Sequence, residues 1–196
     1  MESNTTIMKS DLQTYVAFLR GINVGGHHKV PMVELKSQLH KLGLKNIATL
    51  LNSGNIIFQS SDEDILGLEH RISTHLEKTF GFPIPIILRP SGTITDLLLH
   101  DPFALEEHTK DIRLFVSFLK KDNGSHIKLP YVHPDLSFTI IHKRDLTIFS
   151  ILDLSKSKTP KAMEALERLF GKEITTRNWN TIQRIGKKLS TGDNWQ

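Results

Sequence analysis

The stretch Ile47-Ala48-Thr49-Leu50-Leu51-Asn52-Ser53-Gly54-Asn55-Ile56-Ile57-Phe58-Gln59 decides the fold. Two short apolar runs, Ile47–Leu51 and Ile56–Gln59, flank four polar turn residues ending in Gly-Asn, which is the pattern of a β-hairpin. Upstream, Pro31 stands where a helix begins, Met32, Leu35, Leu39 and Leu42 share one helical face, and Gly43 ends it. Before that helix, Thr14–Leu19 carries Val16, Phe18 and Leu19 around Ala17, a buried strand by length and residue type. Downstream, Ser61 is placed to cap a helix with Asp62, Glu63 and Asp64 in its first turn and Ile65, Leu68, Ile72 and Leu76 inward. Gly81 closes that helix, and Ile84–Leu88 follows as a strand between prolines. The order over Thr14–Leu88 is β-α-β-β-α-β, so the predicted fold class is α+β with a ferredoxin-like unit.

The second half predicts a degenerate α+β unit. A short helix near Ile94–Leu99 precedes strands at Ile112–Leu119, Leu136–His142 and Leu146–Ile151. The segment Lys120–Pro134, with Gly124, Pro130 and Pro134, reads as a loop or a brief helix. Thr159 and Pro160 open a helix that places Met163, Leu166 and Phe170 inward and stops at Gly171. A last helix is expected from Thr176, with Thr176 as its cap and Trp179, Ile182, Ile185 and Leu189 packed on the body. The expected division is a tail over 1–13, a ferredoxin-like unit over 14–90, and a second unit with C-terminal helices over 91–196.

Composition excludes several chemistries. The chain has 196 residues, 38% hydrophobic and 23% charged, ordinary globular usage. It has no cysteine, which removes disulfides, thiolate metal sites and thiol nucleophiles together. No apolar run approaches the roughly 20 residues that cross a bilayer, and Met1–Gln13 lacks the apolar core of a secretory leader, so a soluble cytoplasmic protein with no membrane partner is expected. The net charge of +4 favours anionic partners wherever the cations cluster.

They are expected to cluster at one sheet end. In a ferredoxin-like unit the first and third strands are neighbours, so the loop Arg20–Lys29 and the hairpin Asn52–Asn55 should be adjacent. That brings Arg20, Gly21, Asn23, Gly25, Gly26, Lys29, Asn52, Ser53 and Asn55 together: cations and neutral hydrogen-bonding groups with no carboxylate, beside a helix N-terminus, an arrangement suited to an anion. The competing reading is a tight glycine turn with asparagines serving their own backbone. The glycine spacing fits neither the dinucleotide fingerprint nor the nucleoside-triphosphate loop, so no cofactor is assigned. Arg177, Asn178 and Asn180, in the expected first turn of the last helix, could turn to the same anion. Arg177, Arg184 and Lys188, with Lys187 beside them, would otherwise form a basic stripe, most simply a solvated face.

Three runs resemble signatures of the family called domain of unknown function 1697: Arg20-Gly21-Ile22-Asn23-Val24-Gly25-Gly26 followed by Lys29-Val30-Pro31-Met32, then Asn52-Ser53-Gly54-Asn55, then Thr175-Thr176-Arg177-Asn178-Trp179-Asn180-Thr181. The resemblance implies a duplicated arrangement of ferredoxin-like units and carries no catalytic assignment. His27-His28 stands where such proteins often have lysine or asparagine, and only Ser157-Lys158 remains of a commonly longer polar segment.

Enzyme signatures are absent from the sequence. The ten histidines contain no His-Glu-x-x-His pattern and no metal site is expected. Ser53 lacks the strand-to-helix setting of a hydrolase nucleophile. Asp101, Glu106, Glu107 and Asp111 are scattered acids of the kind that solvate a surface. The leading expectation is a binding module for a small anionic or phosphorylated ligand at the Arg20 loop and the Asn52 hairpin. The alternatives are an RNA- or DNA-binding module and an enzyme of unrecognised type using the same loops.

Overall fold

The hairpin of the opening stretch forms as read, and the strands on either side of it close a four-stranded sheet. A computed structural model describes residues 12–106, 109–123, 127–135 and 137–192. The first sheet contains β1 (Gln13–Leu19), β2 (Lys45–Leu50), β3 (Asn55–Ser60) and β4 (Ile86–Pro90) in the order β2-β3-β1-β4, with every neighbouring pair antiparallel. That is the ferredoxin-like order. Helices α1 (Met32–Lys41) and α2 (Ile65–Phe80) cover one face, where Leu35, Leu39, Leu68, Ile72 and Leu76 meet Tyr15, Ala17, Ile56, Phe58 and Leu88.

Helix α2 starts later than the expected Ser61 cap. Asp64 is the cap, its carboxylate accepting from the Gly67 N–H at 3.0 Å, so the acidic run precedes the helix instead of filling its first turn. Ser60 already holds the Asp62 N–H, which turns the chain away from helical geometry there. Gly81 ends the helix in the left-handed conformation, as read.

The second sheet repeats the first. After α3 (Ser91–Leu99) come β5 (Ile112–Leu119), β6 (Tyr131–Val132), β7 (Phe138–Arg144), β8 (Thr147–Asp153), α4 (Thr159–Phe170), β9 (Ile174–Asn178) and α5 (Trp179–Ser190). Its order is β6-β7-β8-β5-β9. Without the two-residue β6, this is the order of the first sheet, with β5 in the place of β1 and β9 in the place of β4. Where α1 would recur, the segment read as a loop or brief helix contributes β6 instead. Helix α4 packs on the outer face through Ala162, Leu166 and Phe170.

Strand β9 corrects the reading of the C-terminal segment. Thr176 lies in this strand, opposite Ser117, and Asn178 caps α5 by accepting from the Asn180 N–H at 2.9 Å. β-Branched Ile174, Thr175 and Thr176 suit a strand, and pairing with β5 decides the matter over helix propensity. Arg177 therefore leaves the helical basic stripe, which reduces to Arg184, Lys187 and Lys188 on α5.

The two sheets meet face to face. Val16, Phe18, Ile57 and Ile87 pack against Leu114, Val116, Phe118 and Phe149, with Trp179, Ile182 and Ile185 of α5 closing the same core. Phe18 and Phe118 stack at its centre, ring centroids 4.4 Å apart and 18° from parallel. These two phenylalanines occupy matching positions: Val16 pairs Arg89 across β1–β4, and Val116 pairs Arg177 across β5–β9.

On the outer side of the second sheet, Asp135 ties α4 to the turn before β7. Its carboxylate accepts from Lys161 Nζ at 2.7 Å, from the Ser137 hydroxyl and N–H, and from His133. The lysine hydrogen bond first, then Ser137 and His133, hold this carboxyl below the usual range. A depressed carboxyl stabilises the fold at pH values above its unfolded value, and that contribution is lost as pH falls below about 4. Asp135→Asn should therefore lower the urea midpoint at pH 7, and the gap to wild type should narrow as the titration is carried down through pH 4 to pH 2.5.

Candidate functional site

β1 runs out of the sheet into Arg20, and the chain turns through three left-handed glycines, Gly21, Gly25 and Gly26. Asn23 gathers this loop. Its side-chain amide donates to the carbonyls of Val30 at 3.0 Å and Asn52 at 2.9 Å, and its side-chain oxygen accepts from the Val30 N–H at 2.8 Å. The loop and the hairpin are thus adjacent, as the strand order requires, and Leu19 N–H donates to the Gly54 carbonyl at 2.8 Å. Gly54 is the tight point: at φ +75°, a Cβ there would lie 2.7 Å from Leu19 Cβ.

Arg177 joins the two sheets at this point. From β9 its Nε donates to Asn55 Oδ1 at 2.6 Å, one terminal nitrogen to Thr175 Oγ1 and the Thr176 carbonyl, and the other to the carbonyls of Leu19 at 2.6 Å and Ser53 at 3.3 Å. All five N–H groups are used. The guanidinium also lies over the Phe18 ring, 5.5 Å from its centroid. Burial pushes its pKa down to about 10, and no acidic neighbour among the described residues opposes the shift. Asn55, itself fully buried, is held by the Leu50 carbonyl and Ser53 Oγ.

Arg20 is neutralised from an unexpected direction. Glu167 of α4 pairs with one terminal nitrogen and the Lys172 carbonyl accepts from the other. The expectation of a site without a carboxylate is thereby corrected. The glutamate comes from the second half of the chain, and nothing local in the first half announces it.

These residues surround a hollow of about 310 Å³ lined by Arg20, Gly21, Ser53, Met163, Glu167 and Arg177, among others. Asn23, Asn52 and Asn55 brace it through the bonds above. Gly25 and Gly26 form the turn of the Val24–His27 bridge, and Lys29 is exposed on the returning limb. No lining residue comes from α1, so the expected helix N-terminus does not contribute: the Asn23 clasp folds the loop back before the helix starts. Asn178 and Asn180 line a separate hollow with Thr109, Ile112 and Arg113. Of the scattered acids, Glu107 lies outside the described residues.

The sheet repeat produces a counterpart. Arg89 of β4 donates to the carbonyls of Leu119 at 2.5 Å and Leu146 at 3.4 Å, and lies 5.6 Å from the Phe118 centroid. Lys120, the counterpart of Arg20, pairs with Glu69 of α2 as Arg20 pairs with Glu167 of α4. Each half thus sends an arginine and a helix glutamate to the other, the reciprocal contact of an approximate twofold. The counterparts differ in charge. Burial lowers the Arg89 pKa but Glu69 opposes the shift, whereas no acidic side chain does so for Arg177. Arg89, Lys120, Glu69 and Glu167 had one legible signal, the repeat Val16-Ala17-Phe18-Leu19-Arg20 and Val116-Ser117-Phe118-Leu119-Lys120.

Two ferredoxin-like sheets packed face to face, with reciprocal arginines at their seam, define the class. The chain belongs to the DUF1697 family of proteins of unknown function, whose model matches residues 12–130, more than half of its length. The third run of resemblance, Thr175–Thr181, lies beyond that span. The conserved bacterial protein SP0830 from Streptococcus pneumoniae shares the fold, with a TM-score of 0.68 over 92% of this chain and 99% of that one at 24% identity. No curated protein matches.

Removing the Arg177 side chain would strand the Leu19 carbonyl and Asn55 Oδ1. Arg177→Met should cost about 2–4 kcal/mol in urea unfolding, and Arg177→Lys should recover little of it, since an ammonium cannot span five acceptors. Gly54→Ala should cost about 3 kcal/mol in the same measurement, combining left-handed strain with the Leu19 clash.

Proposed function

We propose that the chain is a binding module for a small anionic or phosphorylated ligand seated in the hollow between the Arg20 loop, the Asn52–Asn55 hairpin and β9. The observation that carries this reading is charge. Arg20 and Arg177 line the hollow against one carboxylate, Glu167, which Arg20 engages, so among the described residues one half-buried positive charge has no counter-ion. A buried charge without a partner is costly, and an anion in the hollow would compensate it.

The two arginines contribute differently. Arg177 has no free N–H and acts through its field, which low local polarity strengthens. Arg20 spends two N–H groups on Lys172 and Glu167 and keeps three for a ligand oxygen. The Ser53 hydroxyl, whose oxygen accepts from Asn55, is free to donate. At about 10 the Arg177 pKa leaves it charged at neutral pH, a fixed cation and not a base, which speaks for binding over the enzyme alternative. The nucleic-acid alternative draws no support from the sheet: Phe18 is buried on Phe118 and Phe58 on Tyr15, so neither offers a ring to a base.

Because Asn55 and Arg177 brace the fold, the test uses half-exposed Arg20 and exposed Ser53. Inorganic phosphate and pyrophosphate should raise the melting temperature above that in sodium chloride of equal ionic strength, by about 3–6 °C at tenfold excess over the dissociation constant. Arg20→Gln and Ser53→Ala should abolish the rise while remaining folded by circular dichroism. An equal rise in both variants, or none in wild type, would overturn the reading.

A further inference from the structure

We infer a second ligand site, in the cleft between the edge strands β4 and β9 that adjoins the anion hollow and shares Arg20, Ile174 and Thr175 with it, for a small amphipathic anion: a ring-sized apolar body bearing a neutral N–H or O–H donor. β4 and β9 end their respective sheets and flank a cleft of about 300 Å³. Phe18, Ile86, Ile87, Ile174 and Thr175 form its walls, and each is buried although it borders this space. An apolar-walled cleft with a few convergent polar groups is the usual form of a small-molecule site.

The second observation is an unsatisfied carboxylate. Glu69 lines the cleft and is 2% exposed; its Oε1 accepts from the Leu88 N–H at 2.8 Å, while its Oε2 has no hydrogen-bond partner. Lys120 Nζ stands 3.3 Å from Oε2 and supplies charge without hydrogen-bond geometry. A buried acceptor left without a donor costs about 1–3 kcal/mol, and a ligand donor placed there would remove that cost. With Lys120 already neutralising the carboxylate, a neutral donor fits better than a second cation. Arg20 is paired with Glu167, Lys120 with Glu69 and Glu173 with Lys121, so among the described residues Lys172 is the rim charge without an ion pair, which sets the sign of the ligand's remaining group as negative.

The probe is 4-hydroxyphenylacetate, titrated into the nitrogen-15-labelled full chain with amide shifts read by NMR. The Ile86 and Ile87 amides, which border this cleft and not the hollow, should shift. Phenylacetate, lacking the hydroxyl, and 4-hydroxyphenylacetamide, lacking the charge, should each bind about tenfold more weakly. Lys172→Glu, an exposed change, should weaken the acid but not the amide, and Ser53→Ala should leave the titration unchanged, which separates this site from the anion hollow. No shift at the Ile86 and Ile87 amides up to about 10 mM, shifts confined to Gly21 and Ser53, or insensitivity to Lys172→Glu would overturn the inference.

Discussion

The Phe18–Phe118 stack at the centre of the sheet-to-sheet core organises the rest of the molecule. Each ring comes from the inner strand of its sheet, and each is covered from the partner sheet's side by an arginine that finishes on main-chain carbonyls. Face-to-face sheets bury apolar area without direction. The arginines add direction, because a planar fork with five donors is satisfied only when the carbonyls it needs are in register. Sheet packing and loop placement are therefore coupled: the Leu19 carbonyl that receives Arg177 belongs to the residue just before the Arg20 loop.

That coupling explains why the residues around the hollow have two kinds of role. Asn23, Asn55 and Arg177 satisfy backbone groups at a seam where irregular chain would otherwise leave them unpaired. Arg20 and Ser53 keep donors in reserve. The bland reading of the asparagines, as servants of their own loops, is right for Asn23 and Asn55, while Arg20 and Arg177 come together at the hollow and Lys29 does not line it.

The two halves share strand order, register and reciprocal contacts but have diverged in charge. Around Arg89, Glu69 supplies a carboxylate; around Arg177, the corresponding Glu167 is engaged by an arginine in place of a lysine. Glu69 raises the Arg89 pKa while it also pairs with Lys120, whereas no acidic side chain among the described residues acts on Arg177, on a scaffold that otherwise treats both ends alike.

The amino-acid sequence by itself determined the first sheet. Apolar runs of strand length, the Asn52–Asn55 turn, the proline at the start of α1 and the glycine after α2 are local signals, and a hairpin between two helices leaves few ways to order four strands. It also placed the Arg20 loop beside the hairpin, since β1 and β3 must then be neighbours. It could not place Arg177. Thr175–Arg177 has neither the length nor the alternation to announce a strand, and its pairing with β5 is a long-range contact that no local pattern encodes. The pairing of Arg20 with Glu167, the stacking of Phe18 on Phe118 and the cleft between β4 and β9 likewise exist only once the two sheets are packed. Charge compensation depends on which side chains share a space, and only the tertiary structure decides that.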